Sequence, residues 1–252
     1  MTQKLPVALQ LYSVRDHTVK DMAGTLRQLA AMGYQGVELA GYGNLTREQL
    51  KDVIDETALE VVAAHANLQR LQNEIDDIVA ESDVFGNRYV VLGSVPTELR
   101  GSAANWKEAA KTLTDIGEKL HQNNLQFCYH NHAFEFEEEY DGEYGLDVLF
   151  AHSDPRFVQS ELDSYWVKKG GQEPVNYIEK YAGRIPLLHI KDMGTNGDFA
   201  EIGAGTFDWP AIFAAAEANG VKHYIVEQDT CPGDSMDSVK LSIENLRKMG
   251  KL

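Results

Sequence analysis

Short apolar or alternating runs are separated by longer amphipathic stretches, and the alternation repeats eight times along the chain. Val7 to Tyr12, Gln35 to Ala40, Glu60 to His65, Tyr89 to Gly93, Gln126 to His132, Val158 to Asp163, Ile185 to Lys191 and Tyr224 to Glu227 read as strands. They are short, mostly rich in β-branched or aromatic residues, and bounded by turn formers or polar residues. Between the first two, Met22, Leu26, Leu29 and Met32 recur at the three- and four-residue spacing of a helix face, and NWKEAAKTLTDIGEKLHQNN has the same period. Gly33 and Gly220 stop their helices, and Asp154-Pro155 bars helix continuation before the sixth strand. Strand and helix in alternation make a parallel sheet with right-handed crossovers, and eight such units close it. The expected fold is therefore α/β, a (β/α)8 TIM barrel, as one domain over residues 1–252. An open doubly wound sheet competes, but no Gly-x-Gly-x-x-Gly follows the first strand. The longest irregular stretch, Asp192 to Phe207, carries Gly194, Gly197, Gly203 and Gly205 and is expected to be mobile or ligand-facing.

Composition narrows the partners. At 252 residues and 43% hydrophobic content the chain can bury a sizeable core. Its formal net charge of −16 repels phosphate backbones and anionic lipid, which argues against nucleic acid and membrane surfaces. Cys128 and Cys231 are the only cysteines and form neither a disulfide framework nor a zinc ribbon, so a reducing cytoplasm fits. The N-terminal MTQKLPVALQLYSVRD lacks a leader-like pattern and no run reaches transmembrane length, so a soluble, unprocessed protein is expected; a homo-oligomer is compatible with all of this.

Chemistry concentrates at the ends of the last four strands. His130, Asp163, His189 and Glu227 close strands five to eight and would deliver two imidazoles and two carboxylates to one rim. Without thiolate, that set suits one divalent ion of the Mn²⁺, Zn²⁺, Co²⁺ or Fe²⁺ type, with no way to choose among them, and its two carboxylates balance the ion's charge. Strand pleating puts Cys128, His130 and His132 on one face, likewise Glu161 with Asp163 and His189 with Lys191. Lys191 and His132 are candidate proton donors or bases, against the alternatives of a salt bridge and of a histidine hydrogen-bonded to Glu135 or Glu161. Glu161 is expected to orient a histidine or a lysine, or to bind substrate. Glu38 and His65, ending strands two and three across the mouth, are candidates to hold substrate hydroxyls or to serve as base. Trp166, Phe134, Phe207, Trp209 and Tyr12 are candidates to stack on a substrate, although core packing is the commoner fate of such rings. Cys128 reads as barrel core. The acidic run from Glu135 to Glu143 is expected to be mostly a solvated loop that disfavours a strongly anionic ligand; Gly203 and Gly205 could offer amides to a phosphate, but an unphosphorylated substrate is favoured.

These residues resemble the xylose isomerase-like TIM barrels, and within them the sugar phosphate isomerase/epimerase branch. The resemblance rests on VALQLYSVRD, GYQGVELAG with Glu38, AAHAN with His65, YHNHAFEF, ELDSYW, LLHIKD and EIGAGTFDW, and covers nearly the whole chain. The intervals from His130 to Asp163 and on to His189 are similar to those of ketose 3-epimerases, which usually place a Glu where this chain has His130. That Glu and the strand-eight Glu form the epimerases' acid/base pair, so the substitution weakens a simple two-carboxylate epimerisation. Endonuclease IV is a poorer match, because its extra metal ligands would fall on Trp166 and on Gly197, Asp198 and Phe199. The resemblance implies a metal-dependent enzyme acting on a sugar or keto-sugar through an enediolate. Proton transfer would involve Glu227, His132, His65 and Lys191, giving isomerisation or epimerisation. The alternative is a lyase or dehydratase that expels a β-substituent from a keto-sugar or inosose.

Overall fold

A computed structural model describes residues 4–252; residues 1–3 of the segment read for a leader lie outside it. Eight parallel strands form a closed barrel: β1 (Val7–Gln10), β2 (Gly36–Leu39), β3 (Glu60–His65), β4 (Tyr89–Leu92), β5 (Gln126–His130), β6 (Val158–Asp163), β7 (Leu187–Ile190) and β8 (His223–Val226). Each pairs with its neighbours in sequence, and β1 closes the ring on β8. All eight expected strands are present, several of them shorter than read. Leu11 leaves the ladder into a 3₁₀ turn over Leu11–Val14, and His132, Lys191 and Glu227 sit just beyond their strand ends.

The crossovers are carried by α1 (Arg15–Met32), α2 (Arg47–Thr57), α3 (Ile75–Phe85), α4 (Ala103–His121), α5 (Gly145–His152), α6 (Pro174–Lys180), α7 (Trp209–Ala218) and α8 (Ser235–Lys248). Local chemistry sets their ends. Thr46 and Gln49 form a reciprocal capping box on α2, Ser102 caps α4, and Gly33 closes α1 at φ +105°. At Gly117 in α4 a Cβ would collide with the carbonyl of Phe157, so only glycine lets the helix lie against the entry to β6. No helix among the described residues is long and apolar enough to cross a membrane.

Two apolar layers hold the barrel. The larger lies between strands and helices and includes Leu9, Leu26, Trp106, Phe127, Leu188 and Tyr224. The smaller plugs the lumen with Ala8, Ala63, Val91, Cys128, Leu187 and Ile225, which places Cys128 in the core as expected. Pleating then dictates what sits above the plug. Two residues beyond Ala8, Cys128, Leu187 and Ile225 come Gln10, His130, His189 and Glu227, all on the inward face. Register sets inward residues of neighbouring strands side by side: Gln10 beside Glu38, His130 beside Glu161, and Asp163 beside His189.

The stretch after β7 departs from expectation. Asp192–Met193 pairs antiparallel with Phe199–Ala200. The fully buried Asp192 carboxylate accepts hydrogen bonds from the amides of Met193 (2.8 Å), Gly203 (2.9 Å), Gly205 (3.2 Å) and Phe207 (3.3 Å) and from Trp209 Nε1 (2.8 Å). Five donors on one side chain replace the mobile, ligand-facing loop with a pinned one, and the Gly203 and Gly205 amides are already taken. Trp209 is buried there and cannot stack on a ligand.

Candidate metal centre and active site

The floor of the barrel mouth is a network of buried carboxylates and imidazoles. Glu161 Oε2 lies 3.0 Å from His130 Nδ1, 3.1 Å from His189 Nε2 and 3.2 Å from His65 Nε2. Glu38 reaches across the lumen to His189 Nε2 (2.8 Å) and His65 Nε2 (3.3 Å), and Gln10 Nε2 donates to it at 2.8 Å. An ionised carboxylate only accepts, so the ring nitrogens facing Glu161 and Glu38 carry the protons. The opposite nitrogens, His130 Nε2 and His189 Nδ1, are thereby turned toward Asp163 and Glu227: His189 Nδ1 is 2.9 Å from Glu227 Oε2, and each of the two nitrogens is 3.9 Å from Asp163 Oδ2.

His130, Asp163, His189 and Glu227 are thus brought together, all buried, with ligand atoms within 4.8 Å of one another. Asp163 Oδ1 caps the helical turn beyond β6 by accepting from Trp166 N at 2.9 Å, while its buried Oδ2 points into the cluster, where its one close polar neighbour is the Lys191 ammonium at 3.0 Å. Two imidazole nitrogens and two carboxylates so close-set fit a four-coordinate divalent cation. Behind His130 and His189, Glu161 and Glu38 form the carboxylate–histidine arrangement that fixes the tautomer of a ligand histidine. A second group of Glu38, His65, Glu161 and His189 is equally close-set; it shares His189, and its carboxylates are the ones that orient the first group.

Lys191 corrects one expectation. Its ammonium is fully buried, within 3.0 Å of Asp163 Oδ2, 2.8 Å of Glu227 Oε2 and 2.7 Å of Asp229 Oδ2. Burial alone would discharge it, but the three carboxylates hold its pKa above the ordinary lysine value. It is an internal counter-ion, without the exposure or acidity of a proton donor. Reciprocally, Lys191 and His189 outweigh burial and keep Glu227 well below the usual carboxylate range.

Above this floor opens a cleft of about 580 Å³, lined in part by His65, His132, Glu227, Asp229 and Tyr12. His65 is partly exposed there; burial opposes its charge, yet Glu38 and Glu161 push its pKa up to about 10. His132 is the opposite case. Burial, then the nearby His130 and Lys191, bring it down to about 3, and its buried Nδ1 has no partner. Its ring stacks on Phe134, neither Glu135 nor Glu161 bonding to it; instead its backbone amide donates to Glu135 at 2.9 Å. The cleft therefore presents a protonated and a neutral imidazole, a pairing suited to moving protons.

Other residues take different places from those expected. Glu38 and Glu161 are fully buried beneath the cleft and orient histidines, so neither is available to hold sugar hydroxyls. Trp166 does not line the cleft; it packs against His132 and Phe199, with the Lys191 ammonium 5.3 Å from its ring. Tyr12 does line it, with the Arg15 guanidinium 4.0 Å from its ring centre. Glu135 is no solvated loop residue: it is fully buried and accepts from Tyr129 Oη at 2.7 Å, tying the loop back to β5. Asp229 and Gln10 escaped the reading. Asp229 lies two residues beyond Glu227 and Gln10 ends β1 on the inward parity, so the period-two rule that singled out Lys191 would have found both.

A closed eight-stranded barrel with buried imidazoles and carboxylates gathered on its C-terminal rim defines an α/β-barrel of the enzyme type. Within that class, the chain belongs to the xylose isomerase-like TIM barrel family, whose model matches residues 26–249. Over 200 residues it is 23% identical to an inosose dehydratase of Clostridium beijerinckii, a match covering 71% of this chain and 61% of that protein's length. A crystal structure of a sugar phosphate isomerase/epimerase from Parabacteroides distasonis superimposes with a TM-score of 0.83 at 25% identity, covering 99% of this chain and 96% of the other. The structure of an IolI protein with a bound zinc atom shares the fold at 13% identity, with a TM-score of 0.76 over 98% of this chain and 99% of that one.

Proposed function

We propose that this protein is a divalent-metal-dependent isomerase or epimerase of a keto-sugar or related polyol. The observation that carries the reading is the convergence of His130, Asp163, His189 and Glu227, with ligand atoms within 4.8 Å of one another, at the floor of a polar cleft. A bound divalent cation would supply Lewis acidity, lowering the pKa of the C–H beside a substrate carbonyl and stabilising the enediolate. The chain's own groups do the rest. Lys191 keeps Glu227 ionised, Glu161 and Glu38 hold His130 and His189 in the ligating tautomers, and His65 and His132 face the cleft in opposite protonation states. His132 or Glu227 takes the proton; His65, which already carries one, returns it.

A second reading uses the same enediolate and expels a β-hydroxyl, making the protein a dehydratase. The similarity to inosose dehydratase supports it, as does a protonated His65 at the cleft, where a leaving hydroxyl needs an acid. Incubation with Mn²⁺ and a panel of keto-sugars and inososes in D₂O separates the outcomes by mass and NMR. Solvent deuterium at the carbon beside the carbonyl with the carbon skeleton and hydroxyl count intact marks an isomerase or epimerase, and loss of water marks a dehydratase. No exchange and no elimination across the panel would refute both.

A further inference from the structure

In barrels of this kind, phosphate is held by the loops after the last two strands, through free backbone amides and helix N-termini. Here carboxylates of the chain itself occupy those donors. Asp192 fills the loop after β7 with its five hydrogen bonds, and a Cβ at Gly205 would run into that carboxylate, so the loop is wrapped tightly around its internal anion. Asp208 caps α7 by accepting from Ala211 N at 3.2 Å. Asp234 caps α8 by accepting from Met236 N at 2.9 Å, and also takes His17 Nε2 at 2.9 Å.

The cleft offers no substitute. Among the described residues neither lysine nor arginine lines it, whereas Glu227 and Asp229 do. Lys191 lies beneath it, spent on three carboxylates. At the rim, Arg15 donates to the carbonyls of Tyr12 (2.8 Å) and Asp229 (2.9 Å), and Arg100 donates to the Val95 carbonyl and lies over Phe134. On the side of strands one to four the one charged group is the His65 imidazolium, whose Nε2 is already held by Glu38 and Glu161; beside it stand the uncharged Tyr12, Asn67 and Ser94 side chains. Uncharged groups of that kind pair with hydroxyls, and a phosphate placed among them would meet the Glu227 and Asp229 carboxylates against a single imidazolium already paired with two buried carboxylates.

Resting on the functional reading above, we infer that the substrate carries no phosphate and presents a neutral, hydroxyl-bearing remote end to the loops of strands one to four. Sulfate, a tetrahedral dianion that stays soluble with Mn²⁺, is the probe for calorimetric titration of the metal-loaded protein and of Asp192→Ser. The wild type is expected to show no saturable binding up to about 10 mM, and the variant, its loop emptied of its anion, to bind with a Kd of about 1 mM or tighter. Saturable sulfate binding by the wild type below about 1 mM, or a folded variant that takes no sulfate, overturns the inference. A second measurement compares kcat/KM for a keto-hexose and its phosphate ester. At least a tenfold advantage for the unesterified sugar is expected, and the reverse order overturns the inference. Turnover of neither sinks the proposed reaction, while the titration still decides the question of charge.

Discussion

At the scale of single residues, Glu161 illustrates how much of this site is decided one layer behind the ligating atoms. One oxygen, Oε2, serves three imidazoles. Glu161→Gln keeps the volume but loses the acceptor-only character that sets the tautomers, so metal affinity is expected to fall about 10- to 100-fold with the fold retained. Calorimetric titration with Mn²⁺ or Zn²⁺, beside a circular dichroism spectrum, measures this; an unchanged Kd would remove Glu161 from its positioning role. Glu135 allows a test by pH. Burial is the largest influence on it, outweighing the bonds from Tyr129 and His132, and raises its pKa from 4.5 to about 7. The folded state therefore holds this proton more tightly than the unfolded chain. The contribution is fully present below pH 4.5 and is lost as pH rises through about 7, amounting to roughly 3 kcal/mol by linkage. Glu135→Gln should flatten that part of the stability profile, as read by urea unfolding between pH 5 and 8. A variant whose profile parallels the wild type would exclude the carboxyl as the source.

At the scale of elements, strands were easier to read than the segments that leave them. The apolar runs of β1 to β8 are set by a period of two and a closed parallel sheet, and local pattern is enough to find them. Their C-terminal limits were overrun because Tyr12, His132 and Lys191 keep the alternation after the hydrogen-bond ladder has ended. The loop from Asp192 to Phe207 was misjudged for a physical reason: glycines signal backbone freedom, but here they allow close approach to one buried carboxylate. Nothing local marks Asp192 as that anchor, since its partners lie up to 17 residues on. Gly117 carries the same lesson in a helix. Alanine has the better helical propensity by about 1 kcal/mol, yet the collision with Phe157 should reverse the sign. Gly117→Ala is expected to lower stability by about 1–3 kcal/mol, a drop in melting temperature readable by calorimetry; a stabilised variant would mean that α4 shifts without cost.

For the whole molecule, the closed barrel was legible because eight alternations leave few other solutions. The quartet of His130, Asp163, His189 and Glu227 could be named because each ends a strand. What the sequence could not convey was the narrowness of the lumen. Glu38, placed across the mouth by strand order, in fact crosses the axis to touch His189, and Lys191 is drawn beneath the cleft by three carboxylates. Lys191 brings one positive charge to a site that holds Glu38, Glu161, Asp163, Glu227 and Asp229. Without a cation the deficit falls on imidazole protons such as those of His65 and His189, whose pKa values are both raised. A divalent ion should relieve that crowding, so Mn²⁺ or Zn²⁺ at a hundred times its Kd is expected to stabilise the fold by about 2.7 kcal/mol. The check is a rise in melting temperature that chelator reverses and that Asp163→Asn abolishes; no shift at any concentration would count against a preformed centre.

The cleft is asymmetric in a way that bears on redesign. Its ionisable floor is built mainly by the second half of the barrel, while much of its wall, from Tyr12 through Asn67 to Ser94, comes from the first. Exchanging the loops that follow β1, β3 and β4 should accordingly retarget the protein to differently decorated compounds while the ion-holding half stays intact, so that new selectivity could be grafted without rebuilding the catalyst.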